Sequence, residues 1–272
     1  MKTTRRLILS VAAMLVLPGC FKLKETWVIA PDGSGKLEFS FAWHPELLAK
    51  LKGFGVESDS LKEKMEKLES LSKIPELKDG IVAMTRPTIK VIDGWKTLSF
   101  VAYFDDVNKV AFPPGGKDVG TSLTFALRRE GEGYALEIRD QMAPVSGAPR
   151  AIERLEAIQE AQAKKVWAVF EDLAQGLDLT RSIRMPGAVT SVEGYGAKEG
   201  RLATNHFKEL SSLKDLTYVL RQLLPASRKI ACGAPDFTEA ERASWKKELQ
   251  DAKDAWPKIE AEMKAEAEKK KD

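Results

Sequence analysis

A chain of 272 residues with 43% hydrophobic and 31% charged side chains has ample material for a packed core, which excludes a disordered or fibrous protein. The formal charge of +3 is misleading, because three of the 43 basic residues and none of the 40 acidic ones lie before position 20. The remaining balance of 40 bases to 40 acids argues against nucleic acid as a partner, whose binding draws on basic surface to displace counterions from phosphates.

Lys2, Arg5 and Arg6 form a positive start, and Leu7 to Leu17 is an apolar run whose one polar member is Ser10. That run is too short for a bilayer core of roughly 30 Å, which needs about 20 residues, and it has the size of a signal-peptide h-region. It ends in Leu17-Pro18-Gly19-Cys20. The segment resembles a bacterial lipoprotein signal, although Pro18 stands where Ala, Ser or Thr is usual. The resemblance implies cleavage between Gly19 and Cys20, acylation of Cys20 (palmitate and similar chains), and attachment to a membrane through that lipid. Phe21, in place of Asp after the lipidated cysteine, implies the periplasmic face of the outer membrane in a host with two membranes. The expected organisation is a signal over 1–19, an extracytoplasmic domain over 20–235 and a charged helical extension over 236–272.

The mature chain opens on a hairpin: an arm from Lys24 to Ala30, the turn Pro31-Asp32-Gly33-Ser34-Gly35, and an arm from Lys36 to Trp43. Leu37, Phe39, Phe41 and Trp43 alternate with Lys36, Glu38, Ser40 and Ala42, the period of a strand with one buried face. His44-Pro45-Glu46 reads as a helix entrance, with a short helix through Leu51 and another over 58–71. Strands follow at Ile81–Met84 and Thr88–Ile92, then Asp93-Gly94 as a two-residue hairpin turn, then Trp95–Phe104. Pro113 to Gly116 is a loop. A hairpin over Thr121–Arg128 and Tyr134–Arg139 precedes one helix from Pro149 to Leu173. Strands at Leu179–Met185, Ala188–Glu193 and Arg201–His206 come next, then an amphipathic helix from Leu213 to Leu224 stopped by Pro225.

Beyond Asp236 the composition favours helix. Thr238 and Glu241 have capping-box spacing, and Trp245, Leu249, Trp256 and Ile259 trace a thin stripe able to dock, with a kink at Pro257. The expected fold class is α+β, an antiparallel sheet of hairpins packed with several amphipathic helices and a charged C-terminal helix.

Chemistry is hard to place. His44 and His206 sit at element ends, and two histidines with one distant thiol do not make a zinc site. Gly33-Ser34-Gly35 lacks the nucleophile-elbow spacing. Gly194 to Gly200 is one residue too long for a dinucleotide fingerprint and joins two strands, and Pro114 to Asp118 lacks Walker spacing. Asp105-Asp106 reads as a turn or helix entrance, since neighbours on an extended chain face opposite ways. Trp43 and Trp95 belong to apolar-patterned strands and are assigned to the core, while Trp27 shares the hairpin with Trp43 and is expected to face it. Cys232 reads as a small buried hydrophobe, with a disulfide-linked dimer, a redox role or a pairing with Cys20 as the alternatives.

With Gly19-Cys20, the turn Pro31 to Gly35 and the segment Met185-Pro186-Gly187-Ala188-Val189, the chain resembles lipoproteins carrying LppM-like α+β domains. That resemblance implies a membrane-anchored, non-enzymatic domain and supplies no catalytic residues to carry over; from the residues themselves, no cofactor or metal is expected. Expected partners are the membrane, through the lipid on Cys20, and an envelope protein or apolar ligand. The competing expectation is an envelope hydrolase whose acidic residues converge only in the fold, with two carboxylates about 5–10 Å apart and raised pKa values.

Overall fold

The computed structural model describes residues 21–45, 80–112, 121–142, 148–174, 176–208, 210–222 and 226–269. Cys20, the helices expected between 46 and 71 and the loop at 113–116 lie outside the described residues.

The expected first hairpin pairs β1 (Phe21–Ile29) with β2 (Gly35–Trp43) in unbroken antiparallel register, Trp27 opposite Leu37 and Phe21 opposite Trp43. Gly35 is required where β2 begins: a Cβ there would lie 2.2 Å from the Val28 carbonyl oxygen and 2.4 Å from the Phe104 ring. β5 (Trp95–Phe104) continues the sheet beyond β2. β3 (Ile81–Met84) and β4 (Thr88–Ile92) lie end to end along the same edge of β5, interrupted near Pro87, which has no N–H to give a ladder. The β4–β5 turn places Asp93 at φ 50° and Gly94 at φ 81°, two successive positive angles that suit this tight hairpin.

On the other side of β1 lies β9 (Asp178–Arg184), followed by β12 (Leu202–Lys208) and the short β11 (Ala197–Glu199). The β1–β9 pairing is parallel, where the sequence suggested hairpins throughout. The chain makes a long excursion between these strands, so the geometry of a hairpin does not constrain their direction.

The second sheet is antiparallel throughout, in the order β10-β13-β8-β7-β6. It holds β6 (Ala111–Phe112), β7 (Thr121–Glu130), β8 (Gly133–Met142), β10 (Gly187–Glu193) and β13 (Ala226–Pro235). The sequence reading did not anticipate β13, yet it joins β10 to β8. Side chains from the two sheets meet in one core. Trp27 has its ring 4.5 Å from Phe125 of the second sheet and 6.0 Å from Phe104 of its own, with Leu136, Ile138, Ile183 and Ile230 fully buried around them.

The expected helix from Pro149 to Leu173 is two helices, α1 (Ala148–Glu156) and α2 (Glu160–Ala174). Gln159 restarts the ladder, its carbonyl accepting from the amides of Gln162 and Ala163. No Gly or Pro marks the break, and the apolar stripe runs across it through Ile158. α3 (Leu213–Gln222) packs against α1, and Ile152, Leu155, Leu213 and Leu216 extend the core.

α4 (Glu239–Lys269) continues through Pro257. Its capping box forms as the spacing implies: the Glu241 carboxylate accepts from the Thr238 amide at 2.8 Å, and Thr238 Oγ1 accepts from the Glu241 amide at 3.1 Å. The stripe docks. Trp245 lies against Ala30, Ala83 and Tyr103, its indole donating to Ser34 Oγ at 2.9 Å, while Trp256, Ile259 and Met263 join the main core. Glu248 accepts from Lys36 at 2.8 Å and from the Tyr103 hydroxyl at 3.2 Å, Lys253 meets Asp105 at 2.6 Å, and Arg86 holds Glu262 and Glu266.

Candidate functional site

The residues singled out in the sequence are dispersed over the fold. His206 stands on β12 with Nε2 3.0 Å from an Asp178 oxygen, and His44 follows β2 with its ring edge-on to Trp95 at 5.5 Å. The two histidines share an end of the first sheet without forming one site. Ser34 is a turn residue, donating to Asp32 and accepting from Trp245. Asp106 caps the short 3-10 turn Val107–Lys109 by accepting from the Asn108 amide at 3.0 Å, while Asp105 points to Lys253. The loop from Gly194 is held by Asn205, whose side chain accepts from the Gly196 amide and donates to the Gly194 carbonyl. Among the described residues, no three His, Cys, Asp or Glu side chains converge as a metal site would require.

The carboxylates also bear on acid–base chemistry. Glu137 is held below its usual range by Arg139, and Glu156 by Arg221. Burial works to raise Asp215, yet hydrogen bonds from Ser211 and Ser212 outweigh it and bring it down. The Thr238 amide and Arg201 lower Glu241. Each of these displacements opposes what a general acid near neutral pH needs. Glu25, buried in the sheet interior, is engaged by Arg181 at 2.6 Å, a structural ion pair beside Phe39 and Phe100.

Cys232 is free and buried, and burial pushes its thiol upward. It pairs with Tyr134, whose hydroxyl donates to the Pro31 carbonyl. Pro31 lies past the far end of β1, and nine strand residues put Phe21 about 26 Å away along the strand. Cys232 therefore lies far beyond the roughly 7 Å Cα separation of a disulfide from the Phe21 end of β1.

Among the described residues, two concave surfaces bear on binding. One is a hollow of about 240 Å³ on the outer face of the first sheet, lined by Lys22, Lys24, Ser40, Trp95, Thr97 and Asp178, among others. Lys22 Nζ lies 4.5 Å from the Trp95 ring centre. This corrects the assignment of Trp95 to the core. It shares the outer parity of Thr97, Ser99, Val101 and Tyr103, whereas Leu98, Phe100 and Phe104 point inward. Trp43 is buried as expected and stacked on Phe41, whereas Trp27 does not face it: the register sets Trp27 opposite Leu37, where it too is buried.

The other is a more apolar groove of about 430 Å³ where α1 and α2 meet α3, formed by Leu155, Ile158, Ala163, Leu213, Thr217 and Tyr218 and rimmed by the Arg221–Glu156 pair. Its amphipathic helices were legible in the sequence; their meeting was not.

No family model matches the chain, and no curated protein matches it. Among solved structures, it is similar to the NMR structure of the folded domain of Mycobacterium tuberculosis LppM, at TM-score 0.35 and 14% identity, over 80% of this chain and 92% of that domain. The likeness is weak, and it assigns no residue a role. Among the described residues, no helix is long and apolar enough to cross a membrane.

Proposed function

We propose that the chain is a lipid-anchored cell-envelope protein with a non-enzymatic binding or structural role, held to the membrane by acylated Cys20. The observation that carries this reading is where β1 begins. Its first residue, Phe21, follows the lipobox cysteine directly, and β1 lies between β2 and β9 in the interior of the larger sheet. An anchor at Cys20 would therefore grip the folded body without an intervening linker. The placement this supports is extracytoplasmic, on the periplasmic face of the outer membrane where a host has one.

Mass spectrometry of the parent and of Cys20→Ala tests the anchor. An acylated N-terminus and membrane fractionation in the parent, both lost in the variant, are expected. An unmodified parent in the soluble fraction overturns the reading. Of the two hollows among the described residues, the helical groove is the better suited to an apolar ligand. Ala163→Trp, which fills it, is expected to lower the fluorescence of bound anilinonaphthalene sulfonate, and equal fluorescence removes the groove from consideration.

A further inference from the structure

The register of the first sheet brings separate segments to the end where Phe21 enters. Phe21 faces Trp43, Trp43 faces Lys96, and Lys96 faces Val91, so the β4–β5 hairpin tip lies in the same transverse row as the start of β1. Phe21, the first residue of β1, stands in this row, and Cys20 precedes it directly in the sequence.

Two features mark that end among the described residues. Val91 is 70% and Ile92 51% exposed; with Tyr218 they are the large hydrophobics left most open among the described residues. Single exposed apolar residues are ordinary, but two adjacent ones at a hairpin tip, beside partly covered Trp95, form a small apolar prow. Charge is also concentrated here. The first four rows of the sheet and the hairpin turn carry Lys22, Lys24, Lys90, Lys96 and Lys208, against Asp93 and Asp178. Five lysines to two aspartates stand out in a mature chain whose bases and acids balance.

We propose that this end of the sheet is a membrane-docking surface, in which Val91 and Ile92 enter the headgroup region of an anionic bilayer and the surrounding lysines meet its phosphates. The proposal rests on the lipid anchor at Cys20, which would hold the tip at the bilayer. It adds that the body is oriented upright on the membrane, not tethered loosely. Apolar insertion flanked by lysines and an aromatic is the physical pattern of interfacial binding. Each lysine near an anionic surface contributes about five-fold in affinity, an effect that weakens as salt shortens the screening length.

The test uses the full acylated protein in vesicles containing phosphatidylglycerol, with a polarity-sensitive thiol dye at Val91→Cys or, as the distal control, Glu132→Cys. The buried Cys232 leaves either introduced thiol as the accessible one. Glu132 is exposed in the turn between β7 and β8, near the Pro31 end of the fold. The expected result is a blue shift at position 91 and none at 132, with the shift abolished by Ile92→Asp while flotation with the vesicles persists. Acylated, floating protein whose label at 91 stays as water-exposed as that at 132 overturns the docking and leaves the anchor standing. A shift that appears without vesicles and grows with protein concentration assigns the tip to a second copy and also overturns it. Absence of the acyl mass, with protein left in the supernatant, overturns the anchor and this inference together.

Discussion

The outer face of the larger sheet is divided between two fates, and comparing its ends shows what selects each. Toward the Pro31 end the outward side chains are Val101, Tyr103 and Ala83, and α4 lays Trp245, Leu249, Ala252 and Trp256 upon them. Toward the Phe21 end, the same outward parity carries Lys22, Lys24, Ser40, Thr97 and Thr180, and a hollow remains. Backbone geometry is alike in both halves. What differs is whether the outward side chains can bury apolar area when a helix arrives.

Trp245→Ala breaks the comparison most severely. It removes a nearly buried indole from Tyr103, Ala83 and Ala30 and its hydrogen bond to Ser34, with an expected loss of about 3 kcal/mol by chemical denaturation. Ser40→Ala, at the same parity in the open half, is expected to change stability by less than about 0.5 kcal/mol. Comparable losses at the two positions would mean that α4 does not distinguish the halves.

A smaller effect arises at the polar border of the helix contact. Burial, reinforced by Glu248, pushes Tyr103 up to about 12. Unfolded tyrosine ionises near 10, so above that pH the unfolded chain binds fewer protons than the native one, and stability falls between about pH 10 and 12. Lys36 acts in the same direction: burial lowers its pKa, but Glu248 and Glu38 outweigh this and raise it, so its contribution is present below its ordinary range and lost as pH climbs through the raised value. Denaturation midpoints across this range should show a loss of about 2 kcal/mol, diminished in Tyr103→Phe. An unchanged slope in that variant would show that the hydroxyl is not buried under α4.

The covered half was legible in the sequence and the open half was not, for physical reasons. Alternation over Leu37 to Trp43 identifies β2, and the capping box with Trp245 and Leu249 identifies a helix that needs a surface. The lysines at the open end come from β1, β4, β5 and β12, so only the register assembles them. Counting parity back from Phe104 and Phe100 would have placed Trp95 outward. β13 escaped because Arg228 occupies the inward parity of Ile230 and Cys232 while itself buried, which conceals the alternation. Nothing local signals that β9 should lie parallel to β1, because that pairing is decided by the excursion between them.

The smallest of these effects tests whether α4 is fixed at its start or only along its stripe. Thr238→Ala removes the oxygen that receives the Glu241 amide and is expected to cost about 0.5 kcal/mol, the low end for an exposed cap. Arg201 ties the same turn to the body, reaching Glu241 at 3.0 Å and Asp236 at 3.2 Å. Since the Thr238 amide and Arg201 lower Glu241, the unfolded chain takes up its proton first as pH falls. The contribution of that carboxylate is present above the ordinary glutamate range and is lost through the acid region. The protection factors of the Glu241 and Arg242 amides, taken against the intrinsic exchange rate at each pH, should fall in Thr238→Ala and again on acidification, while the amides near Trp256 stay protected. Equal loss of protection at both places would mean that the helix leaves the sheet as one unit, and that the cap, not the stripe, decides when the covered half becomes like the open one.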